Sequence, residues 1–320
     1  MSDHWQPLIS VEMLGLRAGL LQQIRAFMRV RGILEVDTPV LSQYTVTDPN
    51  LHSFSTHFQH PAGKDTRTLY LCTSPEFAMK RLLAYGSGPI YQISHVFRDA
   101  EAGRLHNPEF TMLEWYRPDF DEHKLMDEID ALLLELNFSA AHRYKYADVF
   151  AEATGLNPHL ADAASLQQAA RDHGLMTRME DRAGLLDFLF NHRCVAERLG
   201  YDRPVFIHDY PACQCALARL STDEPPVARR FELFINGMEI ANGFYELTDA
   251  EEQRRRFQQD NLRRRQTGLP ESPVDERLLQ ALRHGLPDCA GVAMGIDRLL
   301  MARQGCKDIR QVMPFTIDVA

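Results

Sequence analysis

The dipeptide Asn236-Gly237 lies between two apolar runs, and it restricts how this chain can fold more than any other feature. Asn-Gly supplies the two positive-φ residues of a type I′ turn, which joins neighbouring antiparallel strands. We therefore predict a hairpin with arms Arg230 to Ile235 and Glu239 to Tyr245. Other segments also have strand composition: Thr68 to Cys72, Ile90 to Phe97, Phe110 to Tyr116 and Val205 to His208.

Helical patterns surround these strands. From Val11 to Arg31 apolar residues recur at three- and four-residue steps, and a strand that carries Pro39 follows. Residues 121–201 are mostly helical in pattern and form a predicted insertion. Because strands and helices do not alternate regularly, the fold class is α+β, a central antiparallel sheet flanked by helices in a single domain over residues 1–320. Further helices are predicted over Glu76 to Ala84, Asp249 to Gln266 and the second half of Gly291 to Ala302.

Charge and composition narrow the function classes. With 35 Lys and Arg against 44 Asp and Glu, the net charge of −9 does not favour a polyanionic partner. No uncharged apolar run approaches the roughly 18 residues of a membrane span, and the first ten residues lack a basic flank before an apolar core. We expect a cytoplasmic protein without membrane contact, whose six cysteines are reduced.

The stretch around Arg98 is the first that can carry chemistry. Arg98 ends a predicted strand, and a polar turn containing Gly103 leads to the return strand that starts at His106 to Phe110. Arginine offers a bidentate fork to phosphate or carboxylate, and a phenylalanine ring offers a face to a base. The alternative interpretation is a solvated hairpin with scattered charges.

Two further stretches add candidates. Glu232 and Glu239 lie on the two arms of the Asn-Gly hairpin, and carboxylates that meet across a ladder would hold Mg²⁺ beside a polyphosphate. Two exposed glutamates on separate faces remain the alternative. The run Gly291 to Met301 is a small-residue strand that leads into a helix opening with Asp297-Arg298, which suits close approach of a ligand. Such a strand and helix are also common without any ligand.

Taken together, these stretches resemble the three sequence motifs of class II aminoacyl-tRNA synthetases. They are the helix and strand ending at Pro39, the segment Phe97-Arg98 to Phe110, and Gly295-Ile296-Asp297-Arg298. Thr73-Ser74-Pro75-Glu76, His106 to Glu114, Glu239 to Leu247 and His284 to Pro287 are similar to the lysyl-tRNA synthetase subgroup. The resemblance covers about Val11 to Pro314.

The resemblance implies a role for each matching residue. Arg98 and Arg298 would be catalytic, with Arg98 bridging the α-phosphate of ATP and the amino-acid carboxylate, and Arg298 facing Phe110 across the adenine. Glu232 and Glu239 would bind Mg²⁺. The other implied ATP contacts are Asp99, Ala100, His106, Asn107, Ile240 and Gly295. The implied contacts to a lysine-like substrate are Ser74, Glu76, Tyr116, Asn242, Phe244, Glu246 and Ala293.

Three departures from the synthetase pattern refine the expectation. The first motif begins near residue 11, which leaves no room for an N-terminal anticodon-binding barrel; Ala293 stands where a glycine is usual; and Ala100 stands where a glutamate reads adenine, a role that Glu101 would have to take. The first two are similar to truncated paralogues that attach (R)-β-lysine to a lysine of translation elongation factor P.

The reaction that this resemblance implies is ATP-dependent activation of a lysine-like amino acid and transfer to elongation factor P by a homodimer, with tRNA disfavoured. Two alternatives stay open: aminoacylation of an RNA, and a non-catalytic dimeric regulator. The six arginines between Arg254 and Arg265 form either a solvated helix face or a docking surface for an acidic partner.

Overall fold

The fold is described from a computed structural model that covers residues 5–59, 66–177, 179 and 181–320. Numbered α1 to α10, the α-helices in these residues are Val11–Val30, Glu76–Ala84, Glu122–Glu135, Tyr146–Thr154, Ala163–Asp172, Arg182–Phe190, Ala196–Arg198, Ala250–Gln266, Glu276–Gly285 and Ile296–Gln304. Numbered β1 to β11, the strands are Leu34–Glu35, Leu41–Ser42, Ser55–Gln59, Thr66–Leu71, Ile90–Phe97, Glu109–Pro118, His142–Lys145, Val205–Pro211, Val227–Ile235, Met238–Tyr245 and Cys289–Gly295.

The chain divides into two compact units. The first consists of Met1–Asp119, Thr248–Cys289 and Ala293–Ala320, and the second of Phe120–Leu247 and Ala290–Val292. Within the first unit, β5 pairs antiparallel with β6 over its whole length and parallel with β1. A separate three-stranded sheet has the order β2-β4-β3. The long pairing of β5 with β6 is what carries the Arg98 turn.

Helix α1 has the ends that its sequence predicts. The hydroxyl of Ser10 accepts a hydrogen bond from the backbone N–H of Met13, and Gly32 follows the helix with a φ of +67°. One face of α1 is buried through Leu20, Ile24, Phe27 and Met28. The predicted amphipathic helix from Val11 is thus confirmed.

The second unit contains strands in the order β10-β9-β8-β7. Strands β9 and β10 are antiparallel, and Asn236 and Gly237 between them have φ angles of +53° and +69°, as the turn type requires. Strand β7 pairs parallel with β8. Helix α3 precedes β7, and helices α4 to α7 lie between β7 and β8 in the chain. They contribute to an aromatic core in which the rings of Tyr146 and Phe190 stack 4.4 Å apart.

The fold class is confirmed as mixed α and β, with a large sheet flanked by helices. The predicted strand that carries Pro39 is reduced to β1 and β2, two strands of two residues each, and Pro39 between them offers no N–H to a ladder. Strands β3 and β7 and helix α9 were not predicted. One catalytic domain over residues 1–320 stays a prediction. Among the described residues no helix is both long and apolar enough to cross a membrane.

Candidate active site

The predicted site residues fall into two groups, one in each unit. The first unit holds Ser74, Glu76, Arg98, Asp99, Ala100, His106, Asn107, Phe110, Tyr116, Ala293, Gly295 and Arg298. The second holds Glu232, Glu239, Ile240, Asn242, Phe244 and Glu246. Each group brings together residues that are distant in sequence.

Arg98 lies at the mouth of the β5–β6 hairpin. Its backbone N–H donates to the carbonyl of Pro108 at 2.8 Å, which fixes the start of the turn. The guanidinium carbon lies 5.1 Å from the ring centre of Phe110, and in the described part of the chain the nearest carboxylate oxygen is Oε2 of Glu101, 4.0 Å from Nη1. Within the described residues the buried Nε of Arg98 has no hydrogen-bond partner. The group is therefore a cation whose donors remain available to an anionic ligand.

The turn after Arg98 has a strained backbone. Ala100 has a φ of +63°, a left-handed conformation that costs an alanine about 1–2 kcal/mol. Two hydrogen bonds hold it: the Asp99 carboxylate accepts from the N–H of Ala100, and the N–H of Asp99 donates to the carbonyl of His52, both at 2.8 Å. Strain that neighbouring contacts enforce in this way is typical of ligand-binding loops.

Arg298 reaches the second half of the same turn. From the first turn of α10, which follows Gly295, its Nη2 donates to Nε2 of His106 at 2.6 Å and its Nε donates to the carbonyl of Leu105 at 3.2 Å. Asn107 is buried, and its side chain accepts a hydrogen bond from the backbone N–H of Ile317 and donates one to the carbonyl of Glu109. A direct contact of Asn107 with ATP remains a prediction, and these bonds give it a role in shaping the turn.

Glu114 is a buried carboxylate that the sequence analysis missed. It is 2% exposed, and its two oxygens accept hydrogen bonds from Ser74 at 2.8 Å and from Tyr116 at 2.7 Å. A hydroxyl has one proton to donate, so both hydroxyls offer only lone pairs to any further partner. Side chains two residues apart in a strand share one face, so Glu114 lies on the same face of β6 as Tyr116, a predicted substrate contact. This spacing is the sequence signal that could have identified Glu114 as a site residue.

Glu76 opens helix α2 and already has a cation. Nζ of Lys80 lies 2.6 Å from its Oε1, and the Lys80 side chain is buried. Glu76 and Ser74 also line a cavity of about 300 Å³, together with Cys72, Arg81 and Arg277. If Glu76 binds the amino group of the substrate as predicted, its carboxylate contacts that group and Lys80 at the same time.

In the second unit, Glu232 is buried between two donors. Tyr210 donates to its Oε2 at 2.7 Å, and Arg230 donates to Oε1. Arg230 also donates from Nε to the side-chain oxygen of Asn242 at 3.2 Å. Burial raises the pKa of Glu232 to about 7, against the lowering effect of Arg230. The carboxylate is therefore part of a satisfied polar cluster.

Glu232 and Glu239 are not opposite each other in the ladder. Glu239 pairs with Phe234 and Glu232 with Asn242, so the predicted direct meeting of the two carboxylates is wrong. They are still close enough for the charge of Glu239 to raise the pKa of Glu232. The described residues contain no cluster of three or more side chains that could hold a metal. Two carboxylates with spare lone pairs fit Mg²⁺ only if nucleotide oxygens complete the shell.

The rest of the second group follows along β10 and its end. Ile240 is buried at a register shift between Glu239 and Ala241. A Cβ on Gly243 would lie 2.2 Å from the ring of Phe231, so only glycine fits there. Beyond it, Phe244 is half-buried and Glu246 is buried. Ala293, in β11, is half-buried.

Over residues 9–319 the chain matches the family described as tRNA synthetases class II (D, K and N). The protein therefore belongs to the class II tRNA synthetase family, whose catalysis uses ATP. Curated relatives named elongation factor P–(R)-beta-lysine ligase are similar over the full length. The protein of Haemophilus influenzae strain PittGG is 50% identical, with 99% of each chain covered. That of Pasteurella multocida strain Pm70 is 49% identical, also with 99% of each covered.

A third relative of the same name, from Pectobacterium carotovorum subsp. carotovorum strain PC1, is 48% identical, with 100% of this chain and 99% of the relative covered. The predicted resemblance to the lysyl-tRNA synthetase-like family is confirmed by these matches. All of these relatives carry the name of a ligase, and the protein is accordingly an enzyme of the ATP-dependent ligase type.

Proposed function

We propose that this enzyme activates (R)-β-lysine with ATP and transfers it to a lysine ε-amino group of elongation factor P. The observation that carries this proposal is Arg98, whose half-buried guanidinium lies beside Phe110 with Nε lacking a partner in the described residues. The arrangement suits an adenosine phosphate. It occurs in a chain about half identical to ligases named for this reaction.

The first step joins the amino acid to AMP. A carboxylate oxygen of the amino acid bonds to the α-phosphorus of ATP while the bond to the β-phosphate oxygen breaks, and pyrophosphate leaves. Arg98 would hold both anions together and offset the charge that develops between them. In the second step an uncharged amine attacks the acyl carbon, AMP departs with the electron pair, and the amine proton passes to solvent.

Mg²⁺ would be held by Glu239 and Glu232 together with the nucleotide. Glu239 is exposed on β10, and Glu232 keeps a second lone pair on each oxygen beside its bonds to Tyr210 and Arg230. The ion would neutralise phosphate charge.

The amino-acid subsite would recognise ammonium groups. The hydroxyls of Ser74 and Tyr116 donate their hydrogen bonds to Glu114, so towards a ligand these two hydroxyl oxygens can only accept. Glu76 adds a carboxylate to the subsite. An apolar side chain would leave these acceptors unsatisfied, which makes a lysine-like substrate the favoured one. The methyl of Ala293 would crowd the backbone end of an α-amino acid and favour the β-isomer.

A homodimer would form through α1 and the strand after it. Apolar side chains are exposed on this segment, among them Val11 at 83%, Val30 at 81% and Leu34 at 57%. A self-complementary contact would cover them. Sedimentation should give a mass near twice 36.6 kDa, and a monomer at every concentration would contradict the dimer.

The acceptor would be a folded protein. The net charge of −9 opposes a polyanion such as tRNA. Most arginines of the Arg254 to Arg265 helix already bind within the chain; for example, Arg254 pairs with Glu276 at 2.6 Å and Arg264 donates to the carbonyl of Pro270 at 2.7 Å. This helix is therefore a weaker docking candidate than its sequence indicates. Since the acceptor is a translation factor, we assign the reaction to the cytoplasm.

The deciding experiment incubates enzyme, ATP, Mg²⁺ and radiolabelled (R)-β-lysine with either elongation factor P or total tRNA. We expect label on the factor and none on a factor whose acceptor lysine is replaced. Label on tRNA alone would overturn the proposal in favour of RNA aminoacylation. Pyrophosphate exchange with α- and β-lysine, run in parallel, tests the activation step separately from the acceptor.

A further inference from the structure

A buried polar cluster connects three elements that are far apart in sequence. Arg17 of α1 donates from Nη1 to Oδ1 of Asp297 at 2.5 Å and from Nη2 to the hydroxyl of Thr111 at 2.7 Å. The second oxygen of Asp297 accepts from the backbone N–H of Thr111 at 2.8 Å. Asp297 is 2% exposed, and the side chain of Arg17 is 17% exposed. The three residues are thus hydrogen-bonded pairwise and form a triangle, with one corner each on α1, β6 and α10.

Two corners of this triangle adjoin the nucleotide-facing residues. Thr111 directly follows Phe110 in β6, and Asp297 directly precedes Arg298 in the first turn of α10. Phe110 and Arg298 are the pair that would stack on the two faces of adenine. The two bonds of Arg17, together with the direct bond from the Thr111 N–H to Asp297, therefore fix the position of β6 relative to α10 one residue away from each member of that pair.

We infer that Arg17 is a positioning residue for nucleotide binding, which sets the gap between Phe110 and Arg298 by tying Thr111 to Asp297. This inference rests on the proposed function, because it takes Phe110 and Arg298 as the adenine contacts. In this assignment Arg17 acts through Thr111 and Asp297 and not through a contact of its own with the nucleotide. Its planar fork reaches two acceptors at fixed angles, a geometry that a single lysine ammonium does not reproduce.

The test compares matched variants on the same helix. Arg17→Met removes both contacts, and Arg17→Lys keeps the charge without the fork. The control is Arg25→Met, since Arg25 of α1 pairs with Glu35 on the surface, where the side chains are 46% and 45% exposed. If Arg17→Met fails to fold, Thr111→Val removes the hydroxyl corner and keeps the backbone bond to Asp297.

The readout separates base recognition from phosphate recognition. Calorimetry measures the Kd of ATP and the Kd of inorganic tripolyphosphate, which has no base to stack. We expect Arg17→Met to raise the Kd of ATP at least about tenfold and Thr111→Val about two- to tenfold. The Kd of tripolyphosphate should stay unchanged, and Arg17→Lys should recover only part of the loss. Arg25→Met should match the wild type for both ligands.

Two results would overturn the inference. Parallel loss of ATP and tripolyphosphate binding would show a general structural role, and an unchanged ATP Kd in both Arg17→Met and Thr111→Val would show no role. The proposed function fails differently: wild-type enzyme that binds ATP yet exchanges no pyrophosphate with any lysine isomer would overturn that function alone. Wild-type enzyme that binds no ATP would overturn both.

Discussion

Arg98 and Arg230 are two half-buried arginines with opposite surroundings. Arg98, in the first unit, makes no side-chain hydrogen bond within the described residues, and its closest carboxylate is 4.0 Å away. Arg230, in the second unit, donates to Glu232, to Asn242 and to the carbonyl of Gln214, and its guanidinium lies 4.6 Å from the Tyr210 ring. The difference indicates that Arg230 has a structural role, whereas the donors of Arg98 are available to bind an anionic ligand.

This contrast predicts that Arg230 matters most for stability. Arg230→Met leaves the buried carboxylate of Glu232 without its cation, and breaking a buried pair in this way costs about 3–5 kcal/mol. We expect urea unfolding to show that loss in the free energy of unfolding. The control is Arg198→Met, because Arg198 pairs with an exposed Glu152 and should lose at most about 1 kcal/mol. Equal losses in the two variants would contradict the structural role.

Arg98 should matter for catalysis instead. Arg98→Ala removes charge-assisted contacts to the phosphate and carboxylate, worth about 1.5–3 kcal/mol, or about 10- to 150-fold in pyrophosphate exchange. The unfolding midpoint should stay near that of the wild type, because the side chain makes no hydrogen bond to any residue that the structure describes. Arg98→Lys should recover part of the rate. Near-normal exchange by Arg98→Ala would remove Arg98 from the site.

A smaller effect is expected at Glu114, which lies in the first unit yet resembles Glu232 in that each of its carboxylate oxygens accepts a hydrogen bond. Glu114→Gln keeps the shape, but its amide donates on one side, so either Ser74 or Tyr116 must turn its proton towards the ligand. The KM for the lysine-like substrate should rise about fivefold to thirtyfold, for one lost acceptor at about 1–2 kcal/mol, with the KM for ATP unchanged. Parallel changes in both KM values would contradict an amino-acid role for Glu114.

Local sequence rules predicted the elements well and the polar contacts poorly. Helix α2 and strand β5 have the predicted bounds, and the Asn236-Gly237 turn has the predicted φ signs, because propensity and turn chemistry act over a few residues. The bond from Ser74 to Glu114 spans 40 residues, and that from Arg17 to Asp297 spans 280. No periodicity encodes such pairs.

The resemblance to synthetases supplied residue roles that physical patterns alone left undecided. It did not supply the neighbours of those residues. That Glu232 is shared by Arg230 and Tyr210, and that Glu76 is shared with Lys80, follows only from the packed structure. Burial of one partner is what turns a generic charge into a specific pair, and burial is set by the whole fold.

The smallest expected effect concerns Cys72, a group whose pKa is shifted by burial without a compensating charge. In the second unit, burial raises the pKa of Glu232 and Arg230 lowers it. In the first unit, burial alone raises the pKa of the Cys72 thiol to about 11. The thiolate is the reactive form, so iodoacetamide should label Cys72 slowly at pH 8. The rate, followed by mass spectrometry, should rise about tenfold per pH unit from 7.5 to 9.5. A free thiol levels off near its ordinary pKa of about 8.5 over the same range. The same plateau at Cys72 would mean that a nearby charge, and not burial alone, sets its ionisation.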